Sequence, residues 1–161
     1  MPPEKVQTKE AAPLVDRFPF QLVNVRLYEV HAEHCELGKE KQENAVFGFS
    51  LLKGNEPLDS KEFGILLAFE GTIPAGEKNG CRLKVSVEGR FASIVEPTML
   101  KSDAIEKFRN LDSAVLLWPY LRQYVNDLTT RMGLSLPPLP TLDVRALLAK
   151  GVPQAESTEP R

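Results

Sequence analysis

The residue types able to do chemistry gather at His31, Glu33, His34 and Cys35. Two imidazoles, a carboxylate and a thiol are the groups that bind metals or attack carbonyls. Their spacing works against both uses. Adjacent residues of a strand point to opposite faces, and no second ligand pair occurs elsewhere to complete a zinc site. A nucleophilic thiol needs a histidine beside it to take its proton, and nothing in the sequence puts one next to Cys35 or Cys81. Neither a GxxxxGK run nor a GxGxxG run is present to cradle phosphate. The carboxylates are scattered over polar faces, where they aid solubility more often than catalysis. The expectation is a protein that binds, not an enzyme, with no cofactor and no metal.

The elements around that cluster must then explain the chain. Its 161 residues are enough for one domain with a real core and too few for two comfortable ones. A net charge of −2 points to neither a nucleic-acid groove nor an anionic membrane surface. No apolar run approaches the roughly 20 residues of a membrane span, and MPPEKVQTKE lacks a signal-peptide core. A cytoplasmic protein is expected, with both cysteines as reduced thiols. Residues 1–16 and 152–161 read as disordered tails around a domain at 17–151, because they carry Pro, Glu and Lys or Ser without an apolar period.

Alternation predicts four strands. From Arg17 to Ala32, Phe18, Phe20 and Leu22 share one parity and Val23, Val25 and Leu27 the other, so a bulge is expected near Leu22. Residues 31–44 are polar and read as a crossing loop. A second strand spans 44–52, with Phe47, Phe49 and Leu51 on one face, and a third spans 62–69. Asn79-Gly80 signals a tight turn into the last strand, 81–92. There Cys81, Leu83, Val85, Val87 and Phe91 oppose Arg82, Lys84, Ser86, Glu88 and Arg90, which makes one face apolar and the other wet.

Helical spacing takes over beyond a helical turn at Ser102 or Asp103. Leu111, Val115, Trp118, Leu121, Val125, Leu128 and Met132 recur in steps of three and four, and Leu117, Tyr120 and Tyr124 widen the stripe. Asp112 or Ser113 is expected to cap this helix and Gly133 to end it, with a kink at Pro119. Pro137, Pro138 and Pro140 hold an extended connection, after which Thr141 caps a short helix at 142–150. Strands followed by helices on one face give an α+β layer pair.

The order WPYLRQYVNDLTTRMGL, then LPPLPTLDVRALL, resembles the C-terminal half of the SecB family of export chaperones, including the SecB-like chaperones of toxin–antitoxin operons. The resemblance implies a four-stranded antiparallel sheet with a long helix and a short lid helix packed on one face. It also implies an ATP-independent holdase assembled as a homotetramer, a dimer of dimers. Its clients would be unfolded or precursor proteins, and its further partners SecA or an antitoxin. Carried over, the client groove falls on Phe47, Phe49, Leu51, Tyr124, Leu134, Leu136 and Leu139, and on Leu142, Leu147 and Leu148 of the lid. Trp118, Leu121, Val125 and Leu128 fall on the assembly interface. Glu29 and Glu33 match acids that face SecA, whereas Val85 stands where the export proteins carry an acid, and the tail is only weakly acidic. Independently of the resemblance, the large apolar residues outnumber what one thin sheet and one lid can cover, which predicts subunit interfaces or a binding groove.

Overall fold

A computed structural model describes residues 19–37, 45–137 and 139. Four strands, β1 (Phe20–Glu36), β2 (Val46–Lys53), β3 (Glu62–Pro74) and β4 (Asn79–Ser93), form one antiparallel sheet in the order β1-β4-β3-β2. Helical turns follow: α1 (Ser102–Lys107), a π-turn at Phe108–Asp112, and α2 (Ser113–Arg131). The α+β architecture is therefore as expected. The expected tails and the helix at 142–150 lie outside the described residues.

Cross-strand partners share a face, so the register sorts the side chains. Val30, Val85, Phe69 and Phe49 form one row across all four strands, and Leu27, Val87, Leu67 and Leu51 form the next. These rows face α2. His31, Lys84, Glu70 and Gly48 line up on the opposite, wet face. The bulge expected near Leu22 is there, as a register shift between Leu22 and Asn24. A second shift between Leu27 and Glu29 resets the parity, so Val30 rejoins the dry face. Two bulges let a 17-residue strand coil along its neighbour.

Several boundaries move. The polar stretch from His31 to Glu36 continues β1 instead of looping, because its backbone pairs with β4 as far as Asn79. Asn79 and Gly80 begin β4, and the reversal is made by residues 75–78, with Gly76 at positive φ and the Ala75 N–H donating to the Asn79 carbonyl at 2.9 Å. Neither Asp112 nor Ser113 caps the start of α2, since the π-turn already supplies helical backbone there; the Ser113 hydroxyl donates back to the Arg109 carbonyl at 3.0 Å. Pro119 sits inside α2, on its exposed side, without ending it. At the other end Gly133, at φ 66°, closes the helix as expected. The Gly133 N–H reaches the Thr130 carbonyl at 3.1 Å and the Leu134 N–H the Thr129 carbonyl at 2.9 Å, which together satisfy the last turn.

The core lies between α2 and the middle strands. Leu117, Leu121 and Val125 are completely buried against Phe69, Leu83, Val85, Val87 and their neighbours. Close approach depends on Gly89, where a Cβ would run into the methyls of Leu117 and stand 3.0 Å from Phe91. The Gly89→Ala substitution is expected to cost about 1–3 kcal/mol by overpacking. A lowered urea midpoint checks this, and the Gly89→Ala/Leu117→Ala pair should lose less than the sum of its two single losses, because the two sites share one space.

Candidate functional site

One group of apolar side chains that the core covers only in part lies along β2. Strand β2 is an edge, and its dry face carries Phe47, Phe49 and Leu51. Phe47 and Phe49 lie 5.7 Å apart, and Phe69 of β3 lies within 5.7 Å of both. Trp118 of α2 meets Phe49 edge-on at 4.8 Å and 78°, the preferred geometry for two ring quadrupoles. Phe47 keeps 41% of its surface exposed, whereas Phe69 is sealed. The cluster thus has a dry floor and an open rim. Gly71, opposite Phe47, lets the two strands approach closely there, since a Cβ would stand 2.7 Å from the Phe47 Cβ and 2.9 Å from the Val46 carbonyl.

The edge strand is held in place from below. The Arg109 guanidinium, buried in the π-turn, donates to the Glu56 carbonyl at 2.9 Å and the Pro57 carbonyl at 2.7 Å, and stacks on Phe63 at 4.2 Å. Burial lowers the Arg109 pKa, and the Glu56 carboxylate partly offsets that. Glu56 in turn accepts from the Gly64 N–H and from Arg90, each at 3.2 Å. This clamp fixes the turn after β2; the sequence offers no period that would have flagged Arg109.

Most residues carried over from the resemblance lie among the described ones. Phe49, Leu51, Tyr124, Leu134 and Leu136 are half-buried against the core, and Leu139 is 1% exposed, its N–H donating to Asn126 Oδ1 at 3.4 Å. Leu142, Leu147 and Leu148 fall outside the described residues. Trp118, Leu121 and Val125, placed by the resemblance on an assembly interface, are spent within this chain's own core. Leu128 is half-buried beside them. The physical reason is that a stripe of three- and four-residue steps faces the nearest apolar sheet, which is the chain's own.

Glu29 and Glu33 lie on the wet face, each engaged in an ion pair. Lys84 reaches Glu29 at 2.9 Å, and Glu33 is bonded to Arg82 and faces His31 at 3.5 Å. The His31 contact first, and Arg82 next, hold the Glu33 carboxyl below its usual pKa. Arg26–Glu88 extends the ladder. Val85 points the other way, into the core, so an acid at that position would be buried.

The chemistry-bearing cluster is split by the pleat. His31, Glu33 and Cys35 lie on the wet face, while His34 is opposite Cys81 on the other. Sequence spacing could not show that long-range pairing. Burial first, then the nearby Cys35, pushes the Cys81 thiol up, which keeps it protonated and a poor nucleophile. Among the described residues no group of three potential metal ligands converges, and no helix is long and apolar enough to cross a membrane.

No protein-family model matches the chain, and no curated protein matches it at a significant level. Among solved structures it is similar to the SecB-like chaperone Rv1957 of Mycobacterium tuberculosis, in complex with a ChAD peptide from the antitoxin HigA1. That likeness has a TM-score of 0.61 at 18% identity and covers 77% of this chain and 91% of that one. A Streptococcus agalactiae protein of unknown function aligns at a TM-score of 0.37 and 14% identity over 76% and 96% of the two chains, too loosely to argue from. The fold is SecB-like.

Because the wet-face pairs are solvent-exposed, Glu29→Gln and Glu33→Gln should each leave the urea midpoint almost unchanged. Urea titrations at low and high salt check this; a larger loss would mean that the ladder, and not the dry face, holds the sheet.

Proposed function

We propose that this protein is an ATP-independent chaperone of the holdase kind, which keeps unfolded or precursor polypeptides in an apolar groove along β2. The observation that carries this is the half-open aromatic cluster of Phe47, Phe49, Phe69 and Trp118 at the sheet edge. An extended segment laid there would bury apolar side chains without any one sequence, at about 25 cal/mol per Å² removed from water. Under this reading Phe47, Phe49, Leu51, Tyr124, Leu134, Leu136 and Leu139 line the groove, and Leu142, Leu147 and Leu148 close it. The SecB-like fold, and a neighbour of that fold solved with an antitoxin peptide, support it.

The reading includes a cytoplasmic homotetramer, a dimer of dimers. Within this reading, edge strand β1, where Val23, Leu27, Tyr28 and Val30 are exposed, offers apolar surface to a sister subunit together with Leu128 of α2. Several grooves on one particle would act on one long client through effective concentration. Glu29 and Glu33 are already committed to Lys84 and Arg82, which favours a dedicated client such as an antitoxin over docking to SecA. The reading calls on no nucleotide and no catalytic group.

Aggregation of a chemically unfolded protein, followed by light scattering without nucleotide, tests it. Near-equimolar chaperone is expected to suppress the signal, and Phe47→Asp to weaken client affinity about tenfold, the value of one buried aromatic ring, while a cooperative urea transition shows the variant still folded. Suppression for one antitoxin only would select the dedicated role. No suppression of any substrate would overturn the holdase reading.

A further inference from the structure

We infer that the indole N–H of Trp118 is the groove's hydrogen-bond donor to the main-chain carbonyl of a bound extended polypeptide, an inference that rests on the peptide-binding reading above. Among the described residues Trp118 is 6% exposed, and its Nε1 is shut off from water with no acceptor. A buried N–H without a partner costs about 1–3 kcal/mol, and buried indoles ordinarily find an acceptor. This one sits against Phe49 of the edge strand, within the cluster that opens to solvent through Phe47.

Chemistry selects the occupant. Among the described residues the side chains of the cluster are aromatic and offer no oxygen, and a bound chain is a source of the acceptor. An unfolded chain brings a carbonyl at every residue, whatever its sequence, along with apolar side chains that fit the rim. Phe49 is half-buried on an edge strand and is the side chain that must turn aside to admit it. One fixed donor under an apolar rim gives polarity and register to an otherwise non-directional grip: the rim accepts any greasy segment, and the indole selects a backbone that is extended and unpaired. A helical segment, whose carbonyls are already engaged, satisfies the rim but not the donor.

The chain holds a single tryptophan, so an ¹⁵N–¹H spectrum carries one indole resonance. Titration with a short synthetic peptide rich in Leu, Phe and Val is expected to move that proton downfield and slow its exchange with water. Trp118→Phe, which keeps an aromatic ring and removes the donor, should bind the peptide about three- to tenfold more weakly, one net hydrogen bond, with an undiminished urea midpoint. The same peptide carrying esters in place of amides, which are weaker acceptors, should lose affinity for the wild type and little for Trp118→Phe. Shifts at the β2 amides with a silent indole would overturn this inference alone. An indole shift that follows protein concentration instead of peptide would assign the donor to a sister copy and overturn it too. A spectrum that no peptide perturbs would overturn both the inference and the reading beneath it.

Discussion

Everything in this fold depends on how closely α2 can settle onto β3 and β4. Gly89 removes the one side chain that would hold Leu117 off the sheet, so Leu117, Leu121 and Val125 descend among Phe69, Val85 and Val87. Dispersion falls off steeply with a gap of even half an ångström, and that makes the approach decisive. A single helix seated over the two middle strands covers them well and the two edges poorly. The exposed apolar residues of β1 and the half-open aromatics of β2 are the direct result.

The two faces of the sheet meet water on different terms. On the wet face, charges are paired across strands, Lys84 with Glu29 and Arg82 with Glu33, so little free charge is presented to a partner. On the dry face, the edge retains apolar surface that exposed charge would have removed. Edge strands with such surface are usually blunted against aggregation. Here β2 is instead held rigid from beneath, by Arg109 gripping the turn that follows it and by Glu56 tied to Gly64. Under the proposed holdase function, a rigid open edge would need less order imposed on binding than a flexible one.

Much of this was legible in the residues. Alternation in 81–92 separates the dry and wet faces because successive side chains of a strand must oppose each other. The parity slip at Leu22 announces a bulge for the same reason, and Gly133 ends α2 because only a residue without Cβ takes φ 66° readily. What escaped notice involves long-range partners. The polar stretch from His31 to Glu36 carries no strand pattern of its own, and only pairing with β4 keeps it extended. The π-turn passes for a helix start, since Asp112 and Ser113 are residues that cap helices elsewhere.

The residues of α2 show the division most plainly. Spacing by itself determined that Trp118, Leu121 and Val125 share a stripe and that the stripe must be covered. It could not determine what covers it, because an apolar sheet of the same chain and one of a sister chain present the same surface chemistry. Tertiary structure decided the matter: after β4 the chain runs through a 3-10 turn at Pro97–Met99, α1 and the π-turn, which bring α2 back over its own sheet, where the stripe is buried. The same packing left Trp118 with its ring among aromatics and its N–H facing no acceptor, a detail set by three-dimensional proximity and by no local pattern.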